Sequence, residues 1–334
     1  MKAVIAEEYG PPEVLQIADV EVPRPGPNGV LVQVHATSVN PVDWKLRKGL
    51  LRALWDFWFP VIWGTDCSGV VVEVGSAVTS FKPGDQVYGF KHGVVGRTYR
   101  GTYAENVVVP ESALAMKPAS LSHEQAAAVP LVALTAWQAL VKQGRIKPGH
   151  RVLIHAGAGG VGSFAVQIAK AFGAYVAATA STRNQYLLRE LGVDMAIDYQ
   201  RERIEHKISN CDLVLDAVGK SVWPSSLRVL KPGGRLVTLV LPLPNEPSGK
   251  FRFFGTVISQ TAAGYLGALG RGRRLVIVFA KPKGSELEKI SALIEAGKIR
   301  PVIQKVYALD EIAEAHRVSE TRHVRGKLVV RVGT

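Results

Sequence analysis

The stretch RVLIHAGAGGVGSFAVQIAKAFG, Arg151 to Gly173, decides the fold. It runs from an apolar strand into a turn with four glycines and then into a helix with apolar positions at helical spacing. Gly157, Gly159 and Gly162 make the pattern G-x-G-x-x-G, which in a strand–turn–helix context indicates dinucleotide binding. The first permits the tight turn, the second lets the backbone approach a pyrophosphate, and the third lets the helix pack closely on the strand.

The residues of this turn are predicted to hold the pyrophosphate of the cofactor. Backbone N–H groups at the start of a helix bind anions, and glycines let the ligand come close to them. A glycine-rich loop without function is uncommon in this context. The predicted pyrophosphate residues are Gly157, Ala158, Gly159, Gly160, Val161 and Gly162.

The end of the next strand indicates which dinucleotide binds. NAD-binding versions of the pattern carry Asp or Glu about 20 residues downstream, where it contacts the ribose 2′-hydroxyl. Here the segment reads ATASTRNQ and contains no acid. Ser181, Thr182 and Arg183 offer two hydroxyls and a guanidinium, which suit a 2′-phosphate. The sequence therefore favours NADPH; the alternative is that Arg183 is a solvated residue of the next helix.

The segments on either side of the turn differ in their hydrophobic pattern. From Arg151 onward, runs such as RVLIHA, AYVAATA and CDLVLDAV are apolar on both faces and alternate with helices, which predicts a doubly wound parallel sheet. The first 125 residues read as short alternating strands separated by Gly/Pro turns, which predicts a mostly antiparallel, partly open barrel. Near Ser122 the pattern becomes helical, and Gln125 completes a capping box. The predicted class is α/β with a mostly-β domain added.

Composition and charge limit the function classes. Of the 334 residues, 47% are hydrophobic and 21% are charged, as in a globular protein with an ordinary core. Cys67 and Cys211 are the only cysteines, so a disulfide framework is excluded and a reducing, cytoplasmic location is expected. No apolar run reaches the length of a membrane span. The net charge of +13 is scattered, which gives no strong nucleic-acid signal and leaves a peripheral membrane contact open.

Nine motifs carry a family resemblance in the family's order: SVNPVDWKLRKG, GTDCSGVVVEVG, FKPGDQVYG, GTYAENVVVP, AAAVPLVALTAWQAL, AGAGGVG, LDAVG, LKPGGRLV and VRGKLVV. Over nearly its whole length the chain resembles the zinc-free quinone oxidoreductase (ζ-crystallin-like) branch of the medium-chain dehydrogenase/reductase superfamily. The resemblance implies a GroES-like catalytic domain, residues 1–125 and 300–334, and a Rossmann NADPH-binding domain, residues 126–299. It also implies an active site in the cleft between them and a homodimer formed at the sheet edge around 275–279.

The chain departs from its zinc-dependent relatives at two ligand positions. Those relatives carry a cysteine where NPVD begins and a G-H-E motif where this chain has Gly64-Thr65-Asp66. Asn40 and Thr65 stand at the first two ligand positions, and neither is a good zinc ligand. No metal site is predicted. Cys67, beside Asp66, is expected to be a small buried apolar residue.

The resemblance also implies roles for ten further positions, three at the reacting centre and seven around the cofactor. The catalytic candidates are Asn40, Asp43 and Thr135. The cofactor candidates are Ser181, Arg183, Tyr199 and Arg322 at the 2′-phosphate, Val218 and Gly219 at the adenosine, and Phe279 behind the nicotinamide. Structural alternatives stay open: Thr135 as a helix cap, Tyr199 as packing and Phe279 as core.

The expected chemistry follows from the missing metal ligands. Without a Lewis acid a simple alcohol is hard to activate, whereas a quinone or an α,β-unsaturated carbonyl accepts hydride from NADPH directly. The predicted function is therefore NADPH-dependent reduction of a quinone or an activated alkene. The alternatives are enoyl-thioester reduction, and a non-enzymatic NADPH-binding protein held on anionic membranes or RNA.

The segment RKGLLRALWDFWFP leaves the proton donor open. Close relatives often carry a tyrosine shortly after R-x-G, and this segment has none. Solvent is then expected to protonate the product. The aromatic residues of the segment either line an apolar substrate pocket or pack as a loop against the barrel.

Replacing Arg183 with alanine tests the assignment of the 2′-phosphate. We expect Arg183→Ala to raise the KM for NADPH by at least about tenfold, because a charge-assisted hydrogen bond contributes about 1.5–3 kcal/mol. The KM for NADH should change little, since NADH lacks the 2′-phosphate. Steady-state kinetics with both cofactors measure the effect, and equal changes for the two would remove the assignment.

Overall fold

The computed structural model describes residues 1–92, 94–95, 98–244 and 246–332. Among these residues, the β-rich part contains ten strands and one short α-helix. The strands are β1 (Lys2–Ala6), β2 (Gln16–Asp19), β3 (Gly29–Val39), β4 (Val61–Ile62), β5 (Asp66–Val74), β6 (Gln86–Phe90), β7 (Val94–Val95), β8 (Thr98–Tyr99), β9 (Asn106–Pro110) and β10 (Leu114–Met116), and the helix is α1 (Pro41–Arg47).

The second half of the chain alternates helices and strands. The helices are α2 (His123–Ala127), α3 (Pro130–Trp137), α4 (Gly160–Ala171), α5 (Gln185–Glu190), α6 (Trp223–Val229), α7 (Lys250–Leu269), α8 (Gly284–Glu295) and α9 (Ile312–Glu320). The strands are β11 (Arg151–Ile154), β12 (Tyr175–Ala180), β13 (Met195–Asp198), β14 (Cys211–Asp216), β15 (Leu230–Thr238), β16 (Arg274–Ile277), β17 (Ile303–Ala308) and β18 (Lys327–Arg331).

The parallel sheet formed by β11 to β16 has the predicted doubly wound form. Six parallel strands lie in the order β13-β12-β11-β14-β15-β16, which is the 3-2-1-4-5-6 order of the Rossmann fold. Val152, Leu153 and Ile154 of β11 are fully buried, as expected for a central strand covered by helices on both faces. The glycine turn after β11 therefore lies at the carboxyl edge of the sheet, where such folds bind their ligands.

The β-rich part is closed by the end of the chain. Seven strands form one sheet with the path β10-β6-β5-β3-β18-β17, and β9 also pairs with β3. All pairs in this sheet are antiparallel except β17 with β18. The prediction of short antiparallel strands and of a GroES-like domain that includes the chain end is confirmed. The domain boundaries at 125 and 300 remain a prediction.

The helical segment after residue 121 differs in detail from its prediction. Ser122 and Gln125 do form the capping box that starts α2. Pro130 then interrupts the helix, since proline has no N–H to continue the hydrogen-bond ladder, and α3 begins there. Residues 138–143 continue α3 as a π-helical segment. No helix among the described residues is long and apolar enough to cross a membrane.

Gly326 links the last strand, β18, to the glycine turn after β11. Its N–H donates to the carbonyl of Ala158 at 2.8 Å, and it forms a bridge with Gly159. The N–H of Lys327 donates to the carbonyl of Val302 at 2.9 Å. Gly326 has φ +70°, and a Cβ placed on it would lie 2.2 Å from the oxygen of Val302. Only glycine fits at this position.

Substituting Gly326 with alanine should therefore destabilise the protein more than the left-handed backbone alone explains. Gly297 is the matched control, since it has φ +65° and open space where a Cβ would be. Gly297→Ala should cost about 1–2 kcal/mol of backbone strain, and the clash should add about 1–3 kcal/mol in Gly326→Ala. Urea midpoints of the two variants measure the difference. Equal midpoints would show that the close contact is not present.

Candidate active site

A buried carboxylate lies at the centre of the candidate site. Asp66 begins β5 and is fully buried. Its Oδ1 accepts a hydrogen bond from the N–H of Leu131 at the start of α3, at 2.8 Å. Its Oδ2 accepts from Ser38 Oγ at 2.6 Å and from Asn40 Nδ2 at 2.7 Å. The carboxylate thus joins β3, the start of α1 and the start of α3.

A buried ammonium faces the carboxylate. Lys327, the first residue of β18, is 3% exposed, and its Nζ lies 3.4 Å from Asp66 Oδ2. The same Nζ donates to the carbonyl of Val39 at 3.2 Å and to Asn40 Oδ1. Burial lowers the pKa of Lys327, and the charge of Asp66 acts in the opposite direction. The pair is compensated mainly because each charged group also has other hydrogen-bond partners.

The amide of Asn40 is held in one orientation. Its Nδ2 donates to Thr65 Oγ1 at 3.0 Å and to Asp66, and its Oδ1 accepts from Lys327. The structure therefore brings together the two expected ligand positions of the zinc-dependent relatives, Asn40 and Thr65, and the position of their G-H-E glutamate, Asp66. Here those positions carry an amide, a hydroxyl and a carboxylate beside an ammonium, and this donor set does not fit Zn²⁺. Within the residues that the structure describes, no group of three His, Cys, Asp or Glu side chains is suited to a metal ion.

Asp43, next to this site, is fully buried. Its Oδ2 accepts from the N–H of Asn40 at 2.7 Å, which caps α1, and from the hydroxyl of Tyr103 at 3.2 Å. Its Oδ1 is buried and has no hydrogen-bond partner among the described residues. Burial raises the pKa of Asp43 to about 7, opposed by the bond from Asn40. Nε2 of the buried His316 lies 3.1 Å from the hydroxyl of Tyr103, and burial lowers the pKa of His316 to about 3.

Two other predicted features can be placed nearby. Thr135 lies in α3 and its hydroxyl donates to the carbonyl of Leu131 at 2.6 Å, one turn earlier. It is 8% exposed, and its predicted role at the nicotinamide stays a prediction. Cys67 is fully buried, and burial raises the pKa of its thiol to about 12. The expectation that Cys67 is a small buried residue is confirmed.

The glycine turn has the shape that a pyrophosphate requires. A Cβ on Gly162 would lie 2.1 Å from the carbonyl oxygen of Ala156, and one on Gly157 would lie 2.8 Å from the Cβ of Ala178. Side chains are therefore excluded at both positions. Ala156 itself has φ +54°, which turns the chain sharply from β11 toward α4. The turn leaves backbone N–H groups at the start of α4 for an anion, so a dinucleotide fits here.

The predicted 2′-phosphate residues lie at the ends of adjacent strands. Ser181 and Arg183 follow β12, and Tyr199 follows β13, the strand paired with it. Tyr199 is 52% exposed, so it is not a packing residue. Nη2 of Arg183 donates to the carbonyl of His323 at 3.0 Å, which brings the guanidinium to the turn that contains Arg322. The structure thus brings all four predicted residues to one edge of the sheet.

Lys45 was missed by the sequence reasoning. Its Nζ and the guanidinium of Arg322 lie 5.6 and 5.7 Å from the ring centre of Trp44. Burial, with the charge of Arg322 as a second cause, lowers the pKa of Lys45. Among the described residues, neither Lys45 nor Arg322 nor Arg183 forms an ion pair with a carboxylate. Cations held together in this way favour an anionic ligand.

The remaining cofactor candidates lie at the ends of other strands. The N–H groups of Val218 and Gly219 both donate to Asp216 Oδ1 at 2.8 Å, which fixes the turn after β14. Gly219 has φ +112°, a conformation that glycine adopts readily. Phe279 follows the edge strand β16 and is 63% exposed, so it is not a core residue in this chain. The predicted contacts of these three residues with the cofactor stay predictions.

Comparison with known proteins agrees with this architecture. Residues 26–119 match the model of the alcohol dehydrogenase GroES-like domain, and residues 191–330 match the model described as zinc-binding dehydrogenase. The mitochondrial NAD(P)H oxidoreductase RTN4IP1 of Danio rerio is 36% identical over 99% of this chain and 91% of its own length. The chain belongs to the medium-chain dehydrogenase/reductase family.

Two further members of the family are similar over most of their length. The chloroplastic NADPH-dependent alkenal/one oxidoreductase of Arabidopsis thaliana is 37% identical over 99% of this chain and 79% of its own length. The quinone oxidoreductase structure from Coxiella burnetii is 36% identical, with a TM-score of 0.86 over 100% of this chain and 99% of that one. This medium-chain dehydrogenase/reductase is an oxidoreductase, and the prediction of an enzyme is confirmed.

Removing the ammonium of Lys327 should destabilise the fold strongly. In Lys327→Met the carboxylate of Asp66 stays buried without its counter-charge, which costs about 3–5 kcal/mol. The double variant Asp66→Asn/Lys327→Met should lose clearly less than the sum of the two single variants. Lys170→Met is the control, because the pair Lys170–Asp194 is about one-third exposed and should contribute no more than about 1 kcal/mol. Additive losses in the cycle, measured by urea unfolding, would contradict the coupling.

The raised pKa of Asp43 predicts a pH dependence of stability. Below its ordinary pKa of 3.8 the carboxyl is protonated in both the folded and unfolded states. Between there and about 7 only the folded state keeps the proton, so the free energy of unfolding falls as pH rises, by at most about 1.4 kcal/mol per pH unit.

The variant Asp43→Asn lacks this titration and isolates it. The free energy of unfolding of the parent minus that of the variant should fall between pH 4 and about 7 and level off above that range. Urea unfolding across the pH range measures it. A difference that stays constant, or that rises with pH, would contradict the burial of an ionisable carboxyl here.

Proposed function

We propose that the protein is an NADPH-dependent reductase of quinones and activated alkenes that works without zinc. The observation that carries the proposal is the cluster of Lys327, Asp66 and Asn40, which fills the metal position of zinc-dependent relatives with a buried ion pair. A divalent cation beside the buried ammonium would be repelled strongly, because the medium there screens charge poorly. The names of the alkenal/one and quinone oxidoreductases among the relatives support the same class of substrate.

The substrate class follows from what the site can supply. A saturated alcohol must lose its hydroxyl proton before it gives up hydride, and a metal ion usually assists this. The hydrogen-bonding groups of Asn40 are already used by Thr65, Asp66 and Lys327. The site therefore offers position and exclusion of water more than activation, which is sufficient for an acceptor that is already electrophilic.

NADPH, when bound, supplies the hydride. The residues that would hold it are the glycine turn from Gly157 to Gly162 for the pyrophosphate, and Ser181, Arg183, Tyr199 and Arg322 for the 2′-phosphate. Lys45 adds a further cation near Arg322. Asn40 and Thr135 would line the nicotinamide, with Asp43 holding the start of α1 beneath Asn40.

The proton that completes the reduction is assigned to solvent. The segment after α1 carries Trp55, Phe57 and Trp58 and no tyrosine. Tyr103 is fully buried, and burial raises the pKa of its hydroxyl far above its ordinary value, with its hydrogen held by Asp43. Its hydroxyl is therefore a poor donor for the product.

Two further properties remain predictions. A homodimer would pair the free side of the edge strand β16, around 275–279, which lies at one end of the six-stranded sheet. A cytoplasmic location is expected from the cysteine content, although the RTN4IP1 and alkenal/one relatives are mitochondrial and chloroplastic.

An acceptor panel tests the function. NADPH absorbance is followed with short-chain quinones, α,β-unsaturated ketones and aldehydes, enoyl thioesters, and, in reverse, with saturated alcohols and NADP⁺. We expect turnover with quinones or with the unsaturated carbonyls, and none with the alcohols. No NADPH oxidation by any quinone or enone would overturn the proposal. Turnover with enoyl thioesters alone would replace it with the alternative function of enoyl-thioester reduction.

A further inference from the structure

One surface of the molecule exposes an unusual share of its large apolar side chains. Nine of the 17 such side chains that are exposed among the described residues lie in two segments, the loop after α1 and helix α7. They are Leu54, Trp55, Trp58, Phe251, Phe254, Ile258, Tyr265, Leu266 and Leu269, and together they are called the apolar face. The two segments adjoin: Trp55 and Lys250 line the same cleft, and Phe57 and Phe253 belong to the same buried cluster.

Within the described part of the chain, helix α7 packs against the protein through one side. Phe253 and Ala268 are 2% and 1% exposed, and a Cβ on Gly264 would lie 2.3 Å from the ring of Trp223. On the opposite side Phe251 is 96% exposed and Leu269 is 74% exposed. The exposed apolar positions recur at helical spacing along five turns, so they form one continuous stripe. Stripes of this size mark an interaction surface.

The chain from α7 to the start of α8 is cationic. Residues 247–285 contain no aspartate or glutamate. The same stretch contains seven cationic residues, Lys250, Arg252, Arg271, Arg273, Arg274, Lys281 and Lys283. Next to it, Asp56 lines the same cleft as Lys250, and Lys283 pairs with Glu286. A helix that is apolar on one side, with phenylalanines and cations at its first turn and further cations after its last, has the composition of helices that lie in the surface of an anionic bilayer.

We propose that the apolar face docks the enzyme on the surface of an anionic lipid bilayer. Phe251, Ile258 and Leu269 enter the region between headgroups and acyl chains, and the cations around them contact lipid phosphates. A second copy of the chain would add its own cations to those that flank α7, and so would not compensate their charge. An anionic bilayer neutralises them instead.

The position of the face relative to the site gives the docking a purpose, which rests on the proposed function. The segment that leads into α7 follows β15, and the carboxyl ends of β15 and its neighbours form the ligand edge of the sheet. Leu243, in that segment, packs against the same cluster as Phe57 and Phe253. A quinone with a long apolar tail resides in the bilayer, so docking here brings such an acceptor to the border of the site without passage through water.

Co-sedimentation of the full chain with vesicles tests the docking. Vesicles of phosphatidylcholine alone are compared with vesicles in which part of it is replaced by phosphatidylglycerol. We expect binding to the anionic vesicles at low salt and loss of binding at high salt. The variant Phe251→Ser/Leu269→Ser should lower the partition coefficient by about tenfold or more, because it removes the two most exposed side chains of the apolar face.

Val72→Ser/Met116→Ser is the matched control, since these side chains are apolar, 47% and 50% exposed, and lie outside the apolar face. It should bind like the parent. Equal binding by the two double variants, equal binding to both vesicle types, or no binding by the parent would each overturn the proposal. A parent dimer in gel filtration that only the α7 variant converts to monomer, without lipid binding, would assign the face to a second copy.

Turnover measured in parallel separates this proposal from the proposed function. Each protein is assayed with a water-soluble quinone and with a long-chain quinone embedded in anionic vesicles. The α7 variant should keep the rate with the soluble quinone and lose about tenfold in rate with the embedded one. Failure of docking with normal soluble turnover overturns only the docking, whereas docking without turnover on any acceptor overturns the proposed function.

Discussion

The arrangement of the site depends on the buried carboxylate of Asp66. A charge without water must be compensated completely, and here β3, α1, α3 and β18 each contribute a donor. The pair with Lys327 joins two residues that are 261 positions apart in the chain. Because the N–H of Gly326, the residue before this lysine, also donates to Ala158 in the glycine turn, the proposed reacting centre and the predicted pyrophosphate site are directly connected.

The same constraint is the basis of the proposed chemistry. In the position where relatives hold a metal, a carboxylate and an ammonium satisfy each other and use up the amide of Asn40. Such a site holds its ligands in place but has little capacity to change the acidity of a hydroxyl group. Acceptors that are already polarised, such as quinones and enones, are therefore the natural partners of a cofactor bound at the glycine turn.

The sequence was informative wherever a local pattern reports a local structure. The glycine turn, the apolar parallel strands, the capping box at Ser122 and the alternating strands of the first 125 residues all have short-range signals. Lys327 has no such short-range signal, since a lysine at the start of an apolar strand is normally exposed. Its burial arises from the pairing of β18 with β3. The position of Lys45 could not be predicted for the same reason, because its neighbour Arg322 is distant in sequence. For α7, periodicity shows an apolar stripe but not what covers it.

The central claim is that a buried ion pair, and not a metal ion, organises the reacting centre of a working enzyme. The most direct test is the zinc content of the purified protein, measured by elemental mass spectrometry on the same sample whose NADPH turnover is recorded. The account predicts full turnover with zinc far below about one equivalent per chain, unchanged after treatment with a chelator. Zinc near one equivalent whose removal abolishes turnover would contradict it.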